Sequence, residues 1–180
     1  MTVAPVDRRV QSPGHLGVAL LVAAPAWLVL DRRDAAAFGL LAMLAGVAPD
    51  AGLLLPLVHH HGVVHTFLAA VVAGVVLGPA TAALVGRAPT RFRDRFAEGS
   101  PVRSRPRAFA GVAIAVGWAS HVAADMLSAP DVAQPVEPFW PVVDGVVALD
   151  VVAVHAMTVN LGVLAAGLSV HAAALVATRE

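Results

Sequence analysis

Uncharged apolar runs recur along the chain, separated by short polar punctuation. The first covers residues 15–30, has Pro25 inside it, and closes on Asp31-Arg32-Arg33-Asp34. The second covers 35–58 and is interrupted by Pro49-Asp50. His59-His60-His61-Gly62 follows, and a third run occupies 63–86. A fourth covers 108–128, and a fifth extends from 146 to 178. About 20 apolar residues cross the hydrocarbon core of a bilayer, so the fifth run is longer than one perpendicular span. Its first turns are expected in the interface, with the span itself at about 150–177. The first run is short, about 24 Å as a helix at 1.5 Å per residue. The pattern predicts an all-α fold. Residues 1–180 are expected to form a single membrane domain, a polytopic bundle of about five transmembrane helices.

Composition agrees with that pattern. Of the 180 residues, 58% are hydrophobic and 13% charged, and the mean hydropathy is +0.78. Intrinsic disorder requires the opposite balance. The chain has no cysteine, which excludes a disulfide scaffold and a thiolate zinc site. The formal net charge is zero, which argues against a basic nucleic-acid binder, so no nucleic-acid partner is expected. Arg8-Arg9 before the first run has the form of a signal-peptide n-region. Four further apolar runs follow it, so the protein belongs in the membrane with or without cleavage, and no cleavage is expected.

The distribution of charge says more than its sum. The one composition shift is 87–107, which holds seven arginines against Asp94 and Glu98. Cytoplasmic loops carry excess positive charge, so this loop is assigned to the inside. Alternation from it leaves ten of the twelve arginines inside and only Arg8 and Arg9 outside. The N-terminus is then outside and the C-terminus inside. The loop itself reads as a topology signal that also contacts anionic lipid.

The same topology gathers seven of the eight histidines toward the outer face, His171 being the exception. Asp50 falls in the outer part of the second span, and His121 and Asp125 fall late in the fourth. Inserting Asp near a helix centre costs about 2.5–3.5 kcal/mol. Asp50 and Asp125 are therefore expected to face the bundle interior, with partners. Imidazole and carboxylate converging in a buried pocket suit a divalent metal, zinc foremost. His121 and Asp125 are spaced i, i+4, which puts both on one helix face. His60 and His65 flank Gly62, so one would reach back from a turn while the other opens a helix. Two other readings of the His–Asp pair stay open: a hydrogen bond that holds helices together, or a proton or ion path. His59 and His61 read as solvated turn residues, and His171 as a packing or interfacial residue. Asp150 and His155 are intermediate, and Asp144 is expected to cap the fifth span.

These motifs, in this order, resemble the LexA-regulated, membrane-bound, metal-dependent hydrolase family of prokaryotes (the YdjM type). That family carries an early His, here His15. Its Pro-Asp-x-Asp segment matches Pro49-Asp50-Ala51-Gly52, with Gly52 in place of the second Asp. Its His-Arg-Gly-x-x-His-Ser segment matches His60 to Thr66, with His61 for Arg and Thr66 for Ser. Its His-x-x-x-Asp-x-x-Thr segment matches His121 to Ser128, and its Pro-Phe pair matches Pro138-Phe139. The similarity runs from about residue 15 to 141. The family in turn looks like a membrane relative of the all-helical, zinc-dependent phospholipase C and single-strand nuclease superfamily. The later His-x-x-x-Glu pair of that superfamily is missing: Val159 follows His155 at i+4, and Leu175 follows His171. One metal, or two, is therefore expected rather than three.

The resemblance implies a membrane-embedded hydrolase of a phosphoester or lipid-like ester at the outer face. Its metal, most simply zinc, would be held by Asp50, His65, His121 and Asp125, with His15 and His60 as further ligands. Asp50 or Asp125 would orient or deprotonate a water. Membrane lipid would be both surroundings and substrate class, and the location a prokaryotic plasma membrane. The alternative is a non-enzymatic membrane protein that uses the buried cluster as a structural metal site or as an ion or proton path. Gly74-x3-Gly78 and the glycines at 111 and 117 permit close helix approach, but they specify no oligomer.

Overall fold

Prolines and small residues set the ends of the elements. The structure is a computed structural model that describes residues 12–54, 62–127, 135–149, 151 and 157–178. Helix α1 (Ser12–Ala23) runs into a 3₁₀ turn over Ala24–Leu28. Pro25 sits at the start of that turn, where its missing N–H costs least. Helix α2 (Arg32–Ala45) stops at Gly46, and Pro49 begins a second 3₁₀ stretch, Pro49–Leu54. A third, Val63–His65, leads into α3 (Phe67–Gly86). Two short helices, α4 (Thr90–Arg93) and α5 (Pro101–Ser104), lie within the arginine-rich stretch. Helices α6 (Pro106–Leu127) and α7 (Met157–Ala177) complete the order. Among the described residues there is no strand, only an isolated bridge between Val136 and Val147. The all-α expectation holds.

Four helical segments are long and apolar enough to cross a membrane: Arg32–Ala51, Phe67–Gly86, Pro106–Leu127 and Met157–Ala177. A fifth apolar segment, Pro13–Leu28, is shorter. It corresponds to the first run, already short by sequence. The order within 87–105 is new: two helical turns stand where the sequence marked only a charged loop. Asp144 is corrected. It lies well before Met157, where α7 begins, so it cannot cap that helix.

Helix α6 is central and packs against α1, α2 and α3, while α7 packs mainly against α1. The apolar centre is built from Ala45, Ala73 and Ile114, with Leu41 and Trp118 against them. Such small side chains bring backbones close. A Cβ on Gly78 would lie 2.7 Å from the Gly111 Cα. A Cβ on Gly117 would fall on the Ala42 carbonyl. The small-residue spacing read from the sequence is thus used within the chain, α3 against α6 and α2 against α6. The outer surface is apolar, with Val75, Val76, Leu161 and Leu168 exposed. In a bilayer those residues meet lipid.

Neighbours along α1 and α7 advance together, Gly14 with Asn160 and Gly17 with Leu164. The first and last helices are therefore parallel. The starts of α1, α3 and α7 share one end of the bundle with the finishes of α2 and α6. The arginine-rich stretch lies at the other end. There Arg33 donates to the Arg95 carbonyl and Arg103 to the Phe96 carbonyl at 3.2 Å.

Candidate metal centre

Five of the six expected ligands meet at the end of the bundle away from the arginines. His15 comes from the first turn of α1, and Asp50 from the 3₁₀ stretch after α2. His65 closes the short turn before α3, and His121 and Asp125 project from the last turns of α6. His60 lies outside the described residues, as do His59, His61, Asp131, Asp150 and His155.

The side chains form one cluster. His121 Nε2 stands 3.2 Å from Asp125 Oδ2 and 3.5 Å from Asp50 Oδ1. His65 Nε2 is 3.7 Å from Asp125 Oδ2 and 3.9 Å from Asp50 Oδ1. His15 Nε2 is 3.4 Å from Asp125 Oδ1, and its ring stacks on that of His121 with centroids 3.9 Å apart. The side chains of His65 and His121 are fully buried, and those of Asp125 and Asp50 are 11% and 18% exposed.

These separations test whether the donor set fits a metal. Charge-assisted N–H···O bonds are about 2.7–2.9 Å long, and every nitrogen–oxygen pair here is longer. His121 Nε2 and Asp125 Oδ2 are buried and have no hydrogen-bond partner. Four ligands about 2.0–2.1 Å from a common tetrahedral centre stand about 3.3–3.4 Å from one another, and the shorter separations here, 3.2–3.5 Å, lie near that spacing while the two from His65 are longer. Two overlapping groups satisfy the convergence, His15–His121–Asp125 and Asp50–His65–His121. With neutral imidazoles the cluster carries two negative charges, which a divalent cation would balance. The donor chemistry and the orphaned atoms both fit a metal.

The surroundings fix the clustered side chains. The Gly46 carbonyl lies 2.9 Å from His121 Nδ1. A carbonyl only accepts, so Nδ1 carries the proton and Nε2 turns its lone pair into the cluster. The absence of a Cβ on Gly117 lets α2 come close enough to α6 for that bond. Trp118 Nε1 donates to the Val64 carbonyl at 2.7 Å and holds the residue before His65 against α6. Thr66 caps α3 by accepting from the Ala69 N–H at 3.0 Å. The Phe67 N–H donates to the Pro138 carbonyl at 2.8 Å, and the Phe67 and Phe139 rings pack at 5.5 Å. The Pro-Phe pair thus ties the connection after α6 to the residues beside His65.

Sequence reasoning missed Gly46 and Trp118. Thr66 carried a usable signal, a hydroxyl residue directly before an apolar run. His171 takes no part in the cluster. Its Nδ1 accepts from Trp27 Nε1 at 2.9 Å, and its Nε2 donates to the Leu20 carbonyl at 2.9 Å.

Fold and site together define an all-helical membrane protein with a buried histidine–carboxylate cluster able to hold a metal ion. A family model described as YdjM inner membrane protein matches residues 10–180. The chain belongs to that family, the one its motifs pointed to. No curated protein and no solved structure matches the chain.

Proposed function

We propose that the protein is a membrane-embedded, metal-dependent hydrolase acting on a lipid-like phosphoester. The observation that supports this reading is the convergence of His15, Asp50, His65, His121 and Asp125 in two overlapping groups of three that share His121, each close enough to hold an ion. These five, with His60, are the proposed ligands. Zinc is the preferred metal because the donors are imidazole and carboxylate without thiolate. A bound divalent ion supplies Lewis-acid polarisation of a phosphoryl oxygen and acidifies water toward neutral pH.

The chain's own residues do the rest. Asp50 is the more exposed carboxylate, so it is placed to take the proton of an attacking water, while Asp125 orients the site. The substrate class follows from the surroundings. Phe139, Trp140, Val142, Val143, Val146 and Leu149 are exposed on the connection that Pro138 pins beside His65. An apolar rim around a polar cluster suits a molecule with a polar head and a hydrocarbon tail. The positive-inside rule puts the arginine-rich end in the cytoplasm and the cluster toward the outer face. The membrane would be the plasma membrane of a prokaryote, with the N-terminus outside and the C-terminus inside.

A second reading is favoured by one observation: the ligands come from α1, the end of α2, the start of α3, and α6. A metal there would also clip those helices together without turnover. Phosphodiester hydrolysis by the purified, zinc-loaded protein decides between them. Hydrolysis that is lost on chelation and restored by added zinc supports the enzyme. No hydrolysis of any lipid phosphoester, together with a large loss of thermal stability on chelation, supports the clip.

A further inference from the structure

The end of the bundle opposite the cluster carries a separate feature. The connection from α3 to α6 is folded rather than trailing. Helices α4 and α5 shape it, Ser100 between them is buried, and Arg33 and Arg103 donate to its carbonyls. Between this connection and the ends of α3 and α6 lies a cavity of about 310 Å³. Arg93 and Arg103 line it, with Asp94 on the same rim and Val85, Phe96 and Val102 as apolar wall.

The charges there lack protein partners. Among the described residues every ion pair is a His–Asp contact of the metal cluster, so neither Arg93 nor Arg103 is matched by a carboxylate. Arg103 uses one N–H on the Phe96 carbonyl at 3.2 Å, which tethers its guanidinium and leaves further donors. Two guanidiniums lining one cavity suit a phosphate, since each can form paired N–H···O bonds to phosphate oxygens. Among the lining residues Asp94 offsets one of the two guanidiniums, which suits a phosphodiester monoanion better than a dianion. It also offers an acceptor for a hydroxyl. The apolar wall includes Ala82 and Val85 of α3, a helix that crosses the bilayer. A soluble phosphate would have no use for that wall, whereas an acyl chain would.

We infer that the cavity bounded by Arg93, Arg103 and Asp94 binds the headgroup of a singly charged, hydroxylated phospholipid of the adjoining leaflet, with its acyl chains laid along α3. Basic pockets beside membrane helices are suited to anionic headgroups. The site is distinct from the metal cluster and requires no catalysis.

Native mass spectrometry of the purified full chain in detergent tests this, with phosphatidylglycerol, phosphatidylcholine and inorganic phosphate as the probes. The wild-type chain should retain one phosphatidylglycerol at least about tenfold more tightly than phosphatidylcholine, as expected when charge-assisted hydrogen bonds discriminate. The pair Arg93→Gln with Arg103→Gln should lose that preference. The pair Arg87→Gln with Arg105→Gln removes the same charge from the same connection without touching the cavity, and should keep it. Equal losses in the two pairs would overturn the inference in favour of a diffuse field. So would displacement of the lipid by millimolar inorganic phosphate, or equal retention of phosphatidylcholine. All four arginines are exposed, and the single variants Arg93→Gln and Arg103→Gln give the same comparison if a pair fails to fold.

Discussion

His121 and Gly46 are 75 residues apart in sequence, yet the imidazole Nδ1 donates to the glycine carbonyl at 2.9 Å. That bond connects the helix that carries two proposed ligands to the end of the helix that leads to a third. It also decides which ring nitrogen faces Asp50 and Asp125. The bond cannot survive loss of the imidazole, and the cluster loses a donor with it. His121→Ala should therefore abolish zinc retention, and Asp125→Asn should weaken it. Plasma mass spectrometry of protein purified with limiting zinc reads both. Zinc content equal to that of the wild-type chain in both variants would exclude a metal at this cluster.

Trp118 acts one step back from the ligands. Trp118→Phe keeps the ring but removes the hydrogen bond to the Val64 carbonyl. The loss should cost about 1 kcal/mol of stability. It should also weaken zinc binding by about tenfold, as is common for groups that orient ligands. A zinc-competition titration beside a melting curve in detergent separates the two effects.

Close packing of α2 on α6 leaves no room at Gly117. A Cβ there meets the backbone of Ala42 rather than a flexible side chain, so Gly117→Val must push the helices apart. Destabilisation of about 2–3 kcal/mol is expected, in the range typical of overpacked cores. Zinc should be lost as well, because the Gly46–His121 bond depends on that approach. Gly86→Ala, which meets nothing within 4 Å, should change neither.

His171 provides the opposite control. His171→Phe removes the hydrogen bonds to Trp27 and to the Leu20 carbonyl, for an expected loss of about 1–3 kcal/mol from two neutral bonds. Zinc content should remain at the wild-type level, since α7 supplies no ligand among the described residues. A fall in zinc equal to that of His121→Ala would mean that the cluster reports general folding rather than local coordination.

The orientation is testable without background, because the chain has no cysteine of its own. Cysteine introduced at Arg91 should be shielded from an impermeant maleimide added to intact cells, whereas cysteine at Val142 should be labelled. The reverse pattern would place the metal cluster on the cytoplasmic side.

Much of this organisation is legible in the sequence because lipid makes polar residues costly. Asp50, His121 and Asp125 stand out as ionisable groups in apolar runs, and the i, i+4 spacing alone puts two of them on one helix face. The expected opposition of the arginine stretch to the histidine cluster is visible in the bundle. What is not legible depends on contacts between distant segments. Nothing around Gly46 marks its carbonyl as a hydrogen-bond partner 75 residues away, and Trp118 reads as one more apolar residue on α6. The helical turns of α4 and α5 are hidden by charge, since seven arginines dominate the composition of a stretch that nevertheless folds back on the bundle.

Helix α6 contributes two of the clustered side chains and touches α1, α2 and α3. During synthesis it follows the other three into the membrane. Until it arrives, His15, Asp50 and His65 have none of the donors that complete either group of possible ligands. Capture of the proposed ion would then come late, with the arrival of the central helix. An incomplete chain truncated before residue 121 would thus be distinguishable from a finished one by its inability to hold metal.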